Sequence, residues 1–299
     1  MSATTVAVDL GGTHIRAALV AEDGSVLQIE RCQTPVDDPT PAVIPDLVKA
    51  VIGRSHDAPA PDKAVVGVAG VVDHEAERLI AAPNLPQQWI SNLSEEWLSA
   101  AIGLPVSMAN DADLAAVGES GFGAGRASRD VVYITISTGV GAGLVVADKL
   151  VRGTLSGGEI GHCIIDRVAA SNGQPCTVEE LGSGTAIERD AAAAGIPERG
   201  AALAELVRSG SQPALDIWTA AIEAVGLGIA NLAWIVAPQV VVIGGGVGMN
   251  HDLVLPIVER QLLEHGPDTA GAISVVTAKL GDSAALAGAA AWWSAVGRD

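Results

Sequence analysis

The sequence predicts an α/β protein made of two related domains, and three observations carry that expectation. The order of elements (three strands, helix, strand, helix, strand, helix) runs once from Thr4 and restarts at Val131. A glycine-turn device also occurs twice, in VAVDLGGTHIRAALV from Val6 and in VVYITISTGVGAGLVV from Val131. Finally, Ala64–Gly70 and Gln239–Ile243 are apolar runs bounded by turn residues, the pattern of strands covered on both faces.

In chain order, residues 4–33 read as an antiparallel meander of three short strands, broken by Gly11-Gly12 and Asp23-Gly24. Val43, Leu47, Val48 and Val51 give helical spacing from Pro41 to about Gly53. The Ala64–Gly70 strand and a short one at Leu79–Pro83 lead to Asn84. A helix at Ser94–Ile102, a strand at Val106–Ala109 and the polar cluster Asn110–Asp113 follow, with a helix over Leu114–Phe122. Strands at Val131–Ser137, Gly141–Ala147 and Lys149–Arg152 open the second half. Helices are expected at Thr177–Ala194, Arg199–Arg208, Pro213–Val236, His251–Glu264 and Ser283–Ala295, with a strand at Ile273–Ala278. The expected division is residues 1–119 and 120–283, hinged near 120, with the helix at about 284–299 packing back on the first domain. Trp218, Trp234, Trp292 and Trp293 read as packing residues.

Composition narrows the functional classes. A net charge of −18 repels nucleic acid and anionic membranes at long range. No apolar run approaches the ~20 residues of a membrane span, and no signal peptide is apparent. Three scattered cysteines (Cys32, Cys163, Cys176) suit a reducing compartment, so a cytoplasmic location is expected. With aromatic residues at 3%, a bound sugar would be held by hydrogen bonds rather than by stacking.

Glycine in both turns lets the backbone approach a phosphate, and successive N–H groups form an anion-binding concavity. The context is strand–turn–strand, which excludes the dinucleotide fingerprint, and no P-loop is present. Two ordinary hairpins remain the plain alternative. Asp111 sits at a strand-to-helix junction, where a carboxylate serves either as a general base or as a helix N-cap. Asp9 either holds Mg²⁺ or forms a turn. Arg16 either neutralises phosphate or pairs with a carboxylate. Gly244-Gly245-Gly246 either admits a nucleoside or simply turns strand into helix.

Six segments in order resemble the ROK family of sugar kinases and repressors: DLGGTHIRAAL, APNL (82–85), NDAD (110–113), ISTGVGAG, GGEIGH (157–162) and APQVVVIGGGVG (237–248). The resemblance implies two ribonuclease-H-like, actin- and hexokinase-like domains with the active site in the interdomain cleft. It also implies transfer of the ATP γ-phosphoryl group to a hexose hydroxyl, with O6 the expected position, with Mg²⁺ and a homodimeric enzyme. Glucose is the first expected acceptor and N-acetylmannosamine the alternative; a sugar-sensing regulator is a third reading, disfavoured because the first phosphate strand begins at about Thr4.

On this likeness Asp111 is the catalytic base, and Gly70, Asn84, Asn110, Glu159, His162 and Glu179 bind sugar. Asp9, Gly11, Gly12, Thr13, Arg16, Thr138, Gly139, Gly244, Gly245 and Gly246 bind nucleotide or phosphate, with Asp9 holding Mg²⁺ directly or through water. The chain departs from the family after His162. The usual CxCGxxGC zinc run is replaced by CIIDRVAASNGQPCTVEE, so no structural zinc is expected and His162 is left for sugar.

Overall fold

Strand β1 (Thr4–Leu10) is flanked by β2 (His14–Ala21), β3 (Val26–Gln33), β4 (Lys63–Val68) and β7 (Val106–Asn110) in one sheet of order β3-β2-β1-β4-β7. The meander β1–β2–β3 is antiparallel, whereas β1, β4 and β7 run parallel. Register sets Leu10 beside Val68 and Val68 beside Asn110, so three strands end at one edge. In open α/β sheets that carboxyl edge is where ligands bind. The computed structural model describes residues 3–55 and 58–298.

Alternation along β1 explains the two coverings. Val6, Val8 and Leu10 join a core with Ile44, Val48 and Val51 of α1 (Val43–Gly53), together with Trp89 and Met108. Side chains at odd and even positions of a strand point to opposite faces. The other face carries Ala7 and Ala18, small enough for α12 (Ala284–Ala295) to pack on β1, β2 and β4. Helix α12 also packs along α4 (Asp111–Gly121). Where they cross, a Cβ on Gly118 would collide with the Ala284 carbonyl, and one on Gly288 with the Leu114 carbonyl. Glycine is required there because backbone meets backbone.

Strands β8 (Val131–Ile136), β11 (Val240–Gly244) and β12 (Ser274–Thr277) pair in parallel. With β9 (Val140–Val146) and β10 (Lys149–Leu150) they complete a sheet of order β10-β9-β8-β11-β12. Helix α9 (Gln212–Val236) packs on α6 (Val178–Gly182), α7 (Gly184–Ala193), α8 (Gly200–Arg208) and α11 (His251–His265). By length and composition α9 is apolar enough to cross a membrane, contrary to the expectation of no such run, and half of its most apolar window is buried. Its packing against four helices accounts for that apolarity.

The chain clusters into two compact units: Met1–Arg126 with Gly143–Gly158 and Asp282–Asp299, and Ala127–Ala142 with Glu159–Gly281. Nothing in the sequence marks Gly143–Gly158 as belonging with the first.

Local departures from expectation have local causes. Helix α4 begins at Asp111, three residues early, because Asn110 caps it: its Oδ1 accepts from the N–H groups of Ala112 and Asp113. The expected single helix from Thr177 breaks at Ser183, whose extended backbone ends α6 and whose hydroxyl caps α7. A three-residue strand, β5 (Val71–Asp73), pairs with β6 (Arg78–Ala81) and was too short to read. Trp234 is 62% exposed, its indole N–H donating to the His265 carbonyl, so it does not serve as a packing residue.

His74 in the first unit is 8% exposed, and both ring nitrogens lack a partner among the described residues. Burial, then the charges of Arg152 and Arg298, lowers its pKa from 6.5 to about 4. Between those values the unfolded chain binds more protons, so this residue's contribution to stability rises with pH across that window. Acidification from pH 7 to 4.5 should therefore destabilise the wild type more than His74→Gln, by on the order of 1–3 kcal/mol in urea denaturation. Equal losses in the two proteins would refute this account.

Candidate active site

At the sheet edge of the first unit, Asp9 stands directly across from Arg16 in the β1–β2 register. Opposed residues on neighbouring strands share a face, and Arg16 donates Nε (3.0 Å) and Nη2 (2.6 Å) to Asp9 Oδ2. Its Nη1 donates to the Asp282 carbonyl at 3.0 Å. Arg16 thus pairs with the Asp9 carboxylate.

The turn beyond Asp9 is held by Gly11 N–H to the His14 carbonyl (3.0 Å) and by the Thr34 hydroxyl to the Gly11 carbonyl (2.6 Å). Thr13 is exposed. A Cβ on Gly12 would sit 2.5 Å from the Asn84 carbonyl oxygen, so the predicted phosphate turn and Asn84 are in contact. Gly70 likewise leaves no room for a side chain against the Ala81 carbonyl.

Asn110 braces the junction between β7 and α4. Its Oδ1 caps α4 and its Nδ2 donates to the Gly70 carbonyl at 3.1 Å. The amide therefore braces the junction, and the second N–H of Nδ2 remains for a ligand. Asp111 is the first residue of α4, directly after β7, with Oδ1 accepting from Ala112 N–H at 3.0 Å.

The second unit holds the other cluster. Glu179 Oε2 accepts from Val140 N–H at 2.9 Å, and its carboxylate occupies the space a Gly139 side chain would need. His162 Nε2 lies 3.9 Å from Glu159 Oε2, and both side chains are accessible. Burial raises the pKa of the Glu159 carboxyl; His162 opposes this and Glu179 adds to it. The three predicted sugar residues of this unit are therefore electrostatic neighbours.

The segment replacing the zinc run is held by hydrogen bonds. Ile164 and Thr177 form an antiparallel bridge, with Val178 N–H donating to the Cys163 carbonyl and Ile165 N–H to the Cys176 carbonyl. Asp166 caps α5 (Arg167–Ser171), and Thr177 with Glu180 forms a capping box on α6.

Behind Thr138 a cavity of about 500 Å³ opens within the second unit. Thr138 and Gly246 line it, as does Val247. Side chains at Gly244 and Gly245 would strike Tyr133 and the Ile136 carbonyl, and Gly245 adopts φ +82°. Of the glycine triad, Gly246 alone reaches the cavity. The walls from α7, α8 and α9, including Ile187, Glu188, Leu203 and Trp218, had no motif to announce them.

No group of three or more His, Cys, Asp or Glu residues suited to a metal occurs among the described residues. Asp9 still offers Oδ1 beyond the Arg16 pair. One carboxylate oxygen suits Mg²⁺, which keeps waters and takes further ligands from substrate phosphates. The residues fit a cation that arrives with a nucleotide.

Mixed sheets with glycine turns and helical coverings in each half define the two-domain, actin-like ATPase fold. The chain belongs to the ROK family, which it matches over residues 5–296. It is 32% identical to a glucokinase of Streptomyces coelicolor, covering 96% of each chain. Among solved structures it is similar to a ROK hexokinase from Thermus thermophilus (30% identity, TM-score 0.81, 96% of each chain). It is also similar to a ROK glucokinase from Streptomyces griseus in complex with glucose and AMPPNP (31% identity, TM-score 0.77, 97% of this chain and 98% of that one).

Proposed function

We propose that this chain transfers the γ-phosphoryl group of ATP to a hexose hydroxyl, O6 of glucose being the first acceptor. The observation that carries the reading is the placement of Asp111 at the carboxyl end of β7, in the unit where Asn84 meets the Gly12 turn.

In this reading the hydroxyl oxygen attacks the γ-phosphorus, its proton passes to the Asp111 carboxylate, and the bond to the β–γ bridging oxygen breaks to release ADP. Asn84, Glu159, His162 and Glu179 are the residues that bind sugar hydroxyls. Acceptors of this kind, once covered by a bound sugar, discriminate against analogues lacking a hydroxyl. Gly11, Gly12, Thr13, Thr138 and Gly139 present donors to phosphate groups. Mg²⁺ held by Asp9 would neutralise charge on the transferring group.

The same proposal places the enzyme in the cytoplasm as a homodimer, without nucleic-acid or membrane partners; the net charge of −18 supports the last two. Exposed Trp234, Ile235 and Leu263 supply an apolar surface for a second copy.

The test is ADP release with a panel of hexoses and N-acetylhexosamines, using ATP and then polyphosphate. Sugar-dependent ADP formation with glucose is expected. Preference for N-acetylmannosamine would reassign the acceptor, and no turnover with any sugar would sink the reading.

A further inference from the structure

We propose that Glu188 reads the ribose of the donor nucleotide, accepting hydrogen bonds from its two vicinal hydroxyls in the cavity behind Thr138. The inference rests on the kinase reading above and adds the residue that recognises the nucleoside.

Glu188 is the one ionisable side chain among the residues lining the cavity. The other long polar side chain, Asn250, is fully engaged: Nδ2 donates to the Gly246 and Val247 carbonyls and Oδ1 accepts from Arg208. The Thr185 hydroxyl donates to the Thr138 carbonyl at 2.8 Å. Ile187, Leu203, Trp218 and Met249 make the remaining wall apolar, suited to the flat faces of a base.

The Glu188 carboxylate keeps unused capacity. Oε1 accepts from Gly200 N–H at 3.1 Å, and Oε2 lies 3.7 Å from Arg199. An ionised carboxylate offers about four lone-pair sites, so acceptors remain, and an acceptor-only group demands a ligand that donates. A polyphosphate chain donates nothing here; a ribose diol offers two adjacent donors. The carboxylate is also preorganised, because the Gly200 bond ties it to the loop before α8. That loop turns through left-handed glycines, Gly195 at φ +78° and Gly200 at φ +51°.

Calorimetric titration of ADP, 2′-deoxy-ADP and 3′-deoxy-ADP into wild type, Glu188→Ala and Glu188→Gln tests the assignment. Wild type should bind each deoxy analogue about tenfold more weakly than ADP, as loss of a hydrogen bond to a charged group predicts. Glu188→Ala should weaken ADP by a similar factor and bring all three ligands within about twofold of one another. Glu188→Gln keeps an acceptor for Gly200 N–H and therefore the loop; its discrimination should fall between the other two. A side chain that merely braces the loop would weaken all three ligands equally and leave the wild-type ratio intact, which overturns the inference alone. Wild type failing to bind ADP at all would overturn the kinase reading with it.

Discussion

Asp111→Ala is expected to lower kcat by about 10²–10⁴-fold while hexose binding stays measurable. The cap of α4 belongs to Asn110 rather than to Asp111, so the start of the helix keeps its cap in this variant. Loss of the carboxylate removes the acceptor for the hydroxyl proton at the moment the O–P bond forms, so the deficit belongs in kcat. Asp111→Asn sharpens the test: it keeps size and hydrogen bonding but not basicity, and should be nearly as slow. Turnover close to wild type in either variant would dismiss Asp111 as the base. Loss of sugar binding with kcat preserved would make it an anchor instead.

Gly288→Ala is expected to destabilise the protein by about 1–3 kcal/mol, the cost of forcing a methyl group into a filled interior. The added carbon would meet the Leu114 carbonyl, on a turn of α4 whose backbone cannot retreat cheaply. Gly118→Ala should behave alike, since its Cβ would meet the Ala284 carbonyl. The two changes act on one contact, so the double variant should cost less than the sum of the singles. Chemical denaturation measures this, and single variants within about 0.3 kcal/mol of wild type would contradict the packing described. Because α4 starts with Asp111, a shifted helix should depress kcat as well.

Much of this architecture was legible beforehand. The meander of β1 to β3 followed from alternation around Gly11-Gly12 and Asp23-Gly24, and β11 from an unbroken apolar run. What escaped notice depended on partners distant in sequence. The contacts by which Asn110 braces the Gly70 carbonyl and the start of α4 appear only once distant segments are brought together. The partner of Arg16 was not legible until the strand register set it opposite Asp9. The cavity walls were least visible, since Ile187, Leu203 and Trp218 are ordinary helix residues until three helices bring them together.

The route of the chain bears on biogenesis. The first unit begins with Thr4 in β1 yet waits for α12, which is translated after the whole of β8 to β12. A ribosome-bound nascent chain thus carries a sheet whose alanine face, around Ala7 and Ala18, is uncovered while the second unit is still being synthesised. Domains generally mature in the order they emerge; here the earliest strands are finished last, and chaperones have their longest opportunity at that bare face.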